Sequence, residues 1–531
     1  MYCLYAVQSE KRSENGNLDS ERLSWKTAMV LAASENTYGD TGVFCAISRA
    51  KNIYACGMGL DKYIAKIKLG KYIKRMYYDL TKGKISKNLI LFALPMMAGN
   101  LMQQFYNIAD TLIVGRVVGK NALAAVGSAY TLMTFLTSIF LGLSMGAGAL
   151  FSIYKGKNDK HALRVAVAHA FVLIMAVTVF VNVLVYVCMH PILWFLRVPQ
   201  EVMEGMRQYL VIIYAGLLAS SLYNFFACLL RALGNSTVPL VFLAVSSVLN
   251  IGLDLLFVVG FHWGIRGAAA ATVVSQYIAG IGIWLYVVVS QPGRAAGETM
   301  EPQKSQQKGM LREGFDPVIM KEILTLSSLT CLQQSVMNFG ILMVQGLVNS
   351  FGATTMAAFA AAVKIDTFAY LPVQDFGNAY STFVAQNYGA KDYGRIQKGT
   401  KEAFAVSIVF SIIISILVCT FAAPLMQIFV KAQETAVIAC GVQYLRIEGA
   451  FYCGIGCLFL LYGYYRAINK AQMSVVLTVI SLGLRVVLAY ILSVPLKAPG
   501  IWVAIPIGWV AADVTGLCYM RYVNHKNLKE I

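Results

Sequence analysis

The chain has 531 residues, of which 58% are hydrophobic and 13% are charged, with a formal net charge of +18. A soluble domain carries about a quarter charged residues to cover its surface, so this composition excludes a soluble globular protein. No basic patch alternates with stacking aromatic residues in a polar segment, which excludes a nucleic-acid-binding protein. The five histidines are dispersed and no Walker A phosphate loop is present, which excludes a metal cluster of histidines and the direct use of ATP.

The first 75 residues are mixed and polar, and their apolar stretch Ala28–Ala33 is too short for a signal peptide core. We expect residues 1–75 to be a poorly structured amino-terminal extension, and they could be an artefact of an upstream start site. The segment that begins at Met76 is typical of a lead-in to a first membrane span.

Long apolar runs then follow one another, each with about the 20 residues that a helix needs to cross the hydrocarbon core. Alternation of the β-barrel kind is absent, so the sequence predicts an all-α integral membrane protein with about twelve transmembrane helices. Residues 76–290 form the predicted N-lobe with spans 1–6, residues 291–318 a polar linker, residues 319–522 the C-lobe with spans 7–12, and residues 523–531 a tail.

The two lobes resemble copies of each other. A shift of about 233 positions superimposes Gly119 on Gly352 and Gly156 on Gly389, although chance matching of small residues among apolar helices is an alternative. Six spans per copy give both copies the same orientation, so we predict two pseudo-symmetric six-helix bundles in a parallel repeat. Transporters of this kind hold their substrate between the repeats near the middle of the bilayer.

Basic residues cluster in every second loop. Because lysine and arginine favour cytoplasmic loops, we predict a multi-pass protein of the plasma (cytoplasmic, inner) membrane with both termini and the linker in the cytoplasm. The main clusters are Lys82, Lys84 and Lys87; Lys155, Lys157, Lys160 and Arg164; Lys391, Arg395, Lys398 and Lys401; and Arg466 with Lys470.

Ionisable side chains inside the membrane are costly and therefore indicate function. In the N-lobe, two carboxylates could share one small cation in an oxygen cage, or exchange a proton. The structural alternative is that Asp110 caps a shortened span while Asp254 pairs with a distant arginine. The candidate cation ligands are Asp110, Asn224, Asn250, Asp254 and Thr272, with Tyr106 and Tyr209 as supporting residues.

The C-lobe carries a different set of charges. At the repeat position of Asp110 it has Met343, so the acid is not duplicated. Lys364 and Asp366 are two residues apart and do not face each other on a straight helix, so their partners must come from elsewhere. A structural ion pair and a role in transport remain alternatives for the C-lobe candidates Lys364, Asp366, Asp375 and Glu448.

Several motifs in order resemble the multidrug and toxic compound extrusion (MATE) family. Leu94–Gly115 resembles its first span, and the segments that begin at Arg231, Asn250, Gly267 and Ala385 resemble its other signatures. The resemblance covers the chain from about Met76 onward. It implies a V-shaped pair of six-helix bundles that alternate between inward- and outward-open states, with export driven by entry of sodium or protons.

The resemblance also implies roles for particular residues. Relatives hold the cation in the N-lobe with a first-span Asp, a fourth-span Asn, a fifth-span Asn and Asp and a sixth-span Thr, which match the five ligands named above. One branch of the family instead uses a seventh-span Glu and a tenth-span Asp. This chain departs from that pattern, since it has Gln333, Gln334 and Met337 in the seventh span and Gly454 or Ile455 in the tenth.

The sequence thus predicts a sodium- or proton-coupled antiporter that exports small amphipathic or cationic compounds, not an enzyme. We expect no cofactor and no metal beyond the coupling sodium ion, and we expect a monomer in the bilayer. The alternatives are a lipid-linked precursor flippase of the same superfamily, which would have a strongly basic central cavity, an integral-membrane enzyme, and a channel.

Overall fold

A computed structural model describes residues 77–195, 200–290 and 315–529. All of them belong to one compact unit, Met76–Ile531. The predicted extension, residues 1–75, lies outside the described residues, as does the predicted linker up to residue 314.

The N-lobe consists of long helices joined by short turns. Its helices are α1 (Ile85–Val117), α2 (Lys120–Gly156), α3 (Lys160–Val187), α4 (Met189–Phe195), α5 (Gln200–Ala215), α6 (Leu217–Ala232), α7 (Thr237–Asp254), which continues as a π-helical segment (Leu255–Gly260), and α8 (Gly264–Ser290).

The C-lobe repeats this order. Its helices are α9 (Pro317–Asn349), α10 (Ala353–Gly389), α11 (Tyr393–Thr420), α12 (Ala422–Gln427), α13 (Thr435–Gly449), α14 (Tyr452–Ala467), α15 (Ala471–Leu496) and α16 (Ala498–Lys529). Helix α9 thus begins inside the predicted linker. Helix α16 continues into the predicted tail because neither proline nor glycine interrupts it after Gly516.

Ten helices of the described residues are long and apolar enough to cross a membrane, and the number rises to twelve if each of two bent pairs is one span. The bent pairs are α5 with α6, at 42°, and α13 with α14, at 52°. The first bend lies at Gly216, between the two helices. The predicted all-helical fold with about twelve spans is confirmed, whereas the bends were not predicted.

The helix bounds show the internal repeat directly. Helices α2 and α10 each have 37 residues and begin 233 positions apart, at Lys120 and Ala353. Helices α1 and α9 each have 33 residues but begin 232 positions apart, at Ile85 and Pro317. The counterpart of Asp110 is therefore Leu342 instead of the predicted Met343, because the connection between the first two spans is one residue shorter in the N-lobe. Neither residue is acidic.

Equivalent turns use equivalent residues in the two lobes. Gly119 and Gly352 precede α2 and α10 with φ of 111° and 90°, a conformation that favours glycine. The side chains of Asp159 and Asp392 accept hydrogen bonds from backbone N–H groups in the first turns of α3 and α11, at 2.9 Å each. These caps satisfy donors that the helix itself leaves unpaired.

The lobes are in contact at the end where α2 and α10 finish and where α1 and α11 begin, which we call the basic end because it carries Lys84, Lys155 and Lys391. They are also in contact further along α2 and α9, where a Cβ on Gly142 would lie 2.5 Å from the Cα of Cys331. A Cβ atom on Gly156 would lie 1.9 Å from the Gln386 carbonyl oxygen. Small residues therefore allow the backbones of α2 and α10 to touch.

Hydrogen bonds cross the same junction. The Gln386 side-chain amide donates to the Ala232 carbonyl oxygen at 2.8 Å, and the Arg395 guanidinium donates to the Lys82 carbonyl oxygen at 2.9 Å. The Glu402 carboxylate accepts hydrogen bonds from the backbone N–H of Ser86, at 3.0 Å, and from its hydroxyl. The C-lobe thereby caps the first helix of the N-lobe, which has no side-chain cap at its own N-cap residue.

We predict that Gly156→Ala lowers the free energy of unfolding by about 1–3 kcal/mol, because the new methyl group overpacks the α2–α10 contact. Gly127→Ala in the same helix is the matched control, since nothing lies within 4 Å of a Cβ at Gly127. The control should be neutral or gain up to about 1 kcal/mol from helix propensity. Thermal unfolding of the purified protein measures both, and an equal midpoint for the two variants would contradict the close contact.

Candidate functional site

Two acidic side chains are buried within electrostatic range of each other in the N-lobe. Asp110 lies inside α1, seven residues before the helix ends at Val117, and Asp254 is the last residue of α7. The side chain of Asp110 is 9% exposed and that of Asp254 is fully buried. The charged group that interacts with Asp254 is Asp110, not an arginine. The alternatives of a helix-capping Asp110 and an arginine-paired Asp254 are therefore not what the structure shows.

Side chains from neighbouring helices surround the two acids. Tyr209 of α5 is buried and interacts electrostatically with Asp110, Asp254 and Tyr106. Asn250 lies one turn before Asp254 on α7, on the same face. The Asn250 amide donates to the Thr272 hydroxyl of α8 at 3.3 Å. The structure therefore brings predicted site residues from four helices (α1, α5, α7 and α8) close together.

Several side-chain oxygens around Asp110 and Asp254 have no hydrogen-bond donor. Four buried oxygens have no hydrogen-bond partner among the described residues: Asp110 Oδ1, Asn250 Oδ1, and both Oδ1 and Oδ2 of Asp254. Ionised carboxylates and amide carbonyls only accept hydrogen bonds, and buried acceptors of this kind are normally satisfied. A small cation or a proton would satisfy them. In the part of the chain that the structure describes, no three His, Cys, Asp or Glu side chains form a metal-binding group.

Asn224, one of the five predicted cation ligands, has no described hydrogen bond to Asp110 or Asp254. Asn224 lies on α6, and its side-chain amide donates to the Ser220 carbonyl oxygen one turn earlier, at 2.9 Å. Helix α7 changes to a π-helical segment directly after Asp254. Such segments are frequent at functional sites, and nothing in the residue pattern predicted this one.

The C-lobe candidates separate into three places. Asp366 of α10 and Glu448 of α13 are buried and interact with each other. Lys364 is exposed, and its ammonium lies 5.9 Å from the centre of the Phe429 ring. Lys364 therefore does not join the two acids, because a two-residue separation turns it to another face of α10.

Asp375 forms a separate contact between the lobes. Its Oδ1 accepts a hydrogen bond from the Asn100 side-chain amide of α1 at 2.6 Å, and it also interacts electrostatically with Arg231 of α6. Asp375 is 2% exposed, so this contact is shielded from water. The carboxylate joins the lobes instead of completing the cluster of Asp366 and Glu448.

Two further charged residues are located only by the structure. Arg485 of α15 lies within electrostatic range of Asp366 and Glu448, but its buried Nε has no hydrogen-bond partner among the described residues. Asp513 of α16 lies beside α14, where a Cβ on Gly454 would be 3.6 Å from its Oδ2 atom. Asp513 therefore places a carboxylate beside Gly454, the tenth-span position at which one branch of the family has an Asp and this chain does not. The sequence reveals both residues as charges within spans, but it gives no partner for either.

We predict that Asp254→Asn raises the thermal unfolding midpoint in sodium-free alkaline buffer, by roughly 2–6 °C. The substitution removes one of two like charges that are buried without donors, an arrangement that costs stability in order to bind. Asp375→Asn is the matched control and should lower the midpoint, since it loses a charge-assisted hydrogen bond. If the two substitutions shift the midpoint in the same direction, the proposed contrast between a destabilising Asp254 and a stabilising Asp375 is wrong.

Comparison with known proteins places the chain in a family. The profile described as MatE matches residues 95–256 and again residues 329–491, one match in each lobe. The chain is 30% identical over 453 residues to the probable multidrug resistance protein YpnP of Bacillus subtilis, which covers 85% of this chain and 98% of that protein. It is 20% identical over 431 residues to the FAD transporter of Shewanella oneidensis, covering 80% of this chain and 90% of that one.

A solved structure of a MATE protein in complex with MaL6 superimposes with a TM-score of 0.77 at 21% identity, over 85% of this chain and 99% of that one. This likeness shows the shared fold. The two profile matches together span more than half of the chain, one in each copy of the repeat. The chain therefore belongs to the multidrug and toxic compound extrusion (MATE) family and is a multi-pass membrane transporter, not an enzyme.

Proposed function

We propose that the chain is a cation-coupled antiporter that exports small amphipathic or cationic compounds by alternating access. The observation that carries this proposal is the group of donor-free oxygens on Asp110, Asn250 and Asp254. Two buried carboxylates repel each other when both are ionised, so the uptake of sodium or of a proton lowers the energy of this cluster. The coupling cation is thus a transported ion, and the N-lobe supplies its ligands.

The described conformation supports alternating access. Of the contacts between the lobes, Gly156–Gln386 and Arg395–Lys82 lie at the basic end, and Asn100–Asp375 lies further along α1. The positive-inside rule assigns this end to the cytoplasm. The conformation is then closed toward the cytoplasm, in a plasma membrane protein whose two termini lie inside.

Helix α1 links the cation site to the contact between the lobes. Asp110 lies ten residues after Asn100, which corresponds to about 15 Å along the helix. Asn100 binds Asp375 of the C-lobe at 2.6 Å, and the rings of Phe105 and Phe368 lie 5.5 Å apart across the same junction. A shift of α1 on cation binding would therefore change both contacts.

We infer the substrate class from the names of the relatives and from aromatic residues where the two lobes are in contact. Phe105 is 63% exposed although it lies in the middle of α1, next to Phe368 of the other lobe. Aromatic faces suit organic cations. Relatives are named as multidrug resistance proteins and, in one case, as an FAD transporter, so cationic dyes and FAD are the first substrates to compare.

We predict that Asp110→Asn abolishes dye efflux while the protein still inserts into the membrane, because the amide cannot accept a proton or match the charge of a cation. Dye uptake into inverted membrane vesicles measures the loss of export, and immunodetection of the membrane fraction measures insertion. Glu434→Gln, an exposed acid at the start of α13, is the matched control and should keep normal efflux. Normal efflux by Asp110→Asn would refute the coupling role.

The coupling ion is identified by imposing one gradient at a time on proteoliposomes. We expect substrate movement to follow either a sodium gradient at equal pH or a pH gradient without sodium. Monensin and nigericin, which dissipate these gradients, should abolish the corresponding signal. Equal substrate movement without either gradient would contradict antiport.

A further inference from the structure

A cleft lies between the two lobes at the basic end. It has a volume of about 910 Å³, is open to the surface and is lined by the first turns of α1 and α11. Its charged side chains come from both lobes: Lys84 and Lys87 from the N-lobe, and Asp392, Arg395, Lys398 and Glu402 from the C-lobe. Four cations and two acids thus line the cleft, so its excess charge is positive.

The two acids of the cleft already have hydrogen-bond donors from the backbone. Asp392 Oδ1 accepts from the Arg395 N–H at 2.9 Å, and Glu402 Oε2 accepts from the Ser86 N–H at 3.0 Å. Each carboxylate thereby caps the start of a helix, α11 and α1 respectively. These bonds hold the acids at the helix ends, and neither acid forms an ion pair with a described lysine.

Three lysines of the cleft have no carboxylate partner. Lys84, Lys87 and Lys398 are exposed, and their ammonium groups make no ion pair or hydrogen bond with any described residue. The Arg395 guanidinium, in contrast, donates to two backbone carbonyl oxygens of the segment before α1. The cleft therefore presents three ammonium groups, from both lobes, to a ligand that comes from outside the protein.

Exposed apolar faces continue from these lysines along the membrane spans. On α1, Leu94 lies two turns after Lys87 on the same face and is 51% exposed. On α11, Val409 and Ile416 lie on the same face as Lys398 and are 58% and 61% exposed. Both helices are long and apolar enough to cross a membrane. The cleft thus lies where a span begins, which is the level of lipid headgroups.

We propose that this cleft binds the phosphate headgroup of an anionic phospholipid, whose acyl chains lie along the exposed apolar faces of α1 and α11. Clusters of lysine at the ends of membrane helices attract anionic headgroups. Lysines are also common at the cytoplasmic end of spans for reasons of topology, but these three line one concave cleft. A zwitterionic headgroup brings no net charge and gains less from them.

A bound headgroup favours the described conformation. Lys84 and Lys87 belong to the N-lobe and Lys398 to the C-lobe, so opening of the basic end separates them. A headgroup that contacts lysines of both lobes therefore binds more tightly when this end is closed, and differential binding shifts the equilibrium toward the closed state. This conformational effect rests on the proposed alternating access, whereas headgroup binding itself does not.

Native mass spectrometry of the full-length protein in detergent tests the site, with dioleoylphosphatidylglycerol as the probe and dioleoylphosphatidylcholine as the zwitterionic comparison. Lys87→Gln/Lys398→Gln removes one ammonium group from each lobe. We expect it to weaken phosphatidylglycerol binding roughly 10- to 30-fold, because each lysine near an anionic lipid surface contributes about fivefold. Lys321→Gln/Arg521→Gln is the matched control, since both residues are exposed and neither lines the cleft. The control should bind as the unchanged protein does.

Hydrogen exchange of the same samples measures the conformation. The Ser86 N–H reports closure of the basic end, because its acceptor Glu402 belongs to the other lobe. Phosphatidylglycerol should slow exchange of this amide in the unchanged protein and in the control, but not in Lys87→Gln/Lys398→Gln. Inorganic phosphate at the same concentration should not slow it.

Each outcome decides one part of the proposal. Equal phosphatidylglycerol affinity of the two double variants overturns the headgroup site, as does equal binding of both lipids by the unchanged protein. Slower exchange with inorganic phosphate assigns the cleft to a free anion and overturns the lipid. Phosphatidylglycerol binding without slower exchange at Ser86 overturns the conformational effect alone.

Two further results keep the test decisive. If Lys87→Gln/Lys398→Gln does not fold, Lys398→Gln alone replaces it, with an expected loss of about fivefold in affinity, and no loss overturns the site. Failure of the proposed function appears separately, as normal dye export by Asp110→Asn, which leaves lipid binding unchanged.

Discussion

The proposed mechanism depends on one unfavourable arrangement, the burial of Asp110 and Asp254 within electrostatic range of each other, with no hydrogen-bond partner for three of their four oxygens. Moving an ion from water into a protein interior costs several kcal/mol even after relaxation. A helical membrane protein keeps such a group only where something compensates it. In the proposed mechanism the compensation comes from a sodium ion or a proton, because Tyr209, Asn250 and Thr272 leave four oxygens unpaired.

This requirement explains why the two lobes share a fold but not a charge pattern. Packing requires only that apolar and small residues recur at equivalent positions, and these produce helices of equal length in both lobes. Charge compensation has more than one solution. The N-lobe places Asp254 within electrostatic range of Asp110, whereas the C-lobe places Asp366 and Glu448 within electrostatic range of Arg485.

The sequence was sufficient for those features that depend on hydropathy and on single residues. The spans and the repeat followed from apolar runs and glycine spacing. The roles of Asp110 and Asp254 and the ligand set implied by the resemblance stay predictions. Features that depend on helix rotation and on contacts between distant helices could not be predicted. Lys364 turns toward Phe429, Asp375 binds Asn100 of the other lobe, and Asp366 lies within electrostatic range of Arg485. Hydropathy carries no information on these pairings.

In the proposed mechanism, the position of α1 allows cation binding to change the contact between the lobes. An ion bound deep within one lobe would stabilise that lobe in every conformation and would drive nothing, because only differential binding shifts an equilibrium. Helix α1 contributes Asp110 to the N-lobe cluster and Asn100 to the contact with Asp375, so one rigid element belongs to both. An ion that moves α1 by even a fraction of an ångström changes a hydrogen bond of 2.6 Å in a site shielded from water, where such bonds are strongest. The coupling between ion and opening then needs no further relay than the helix itself.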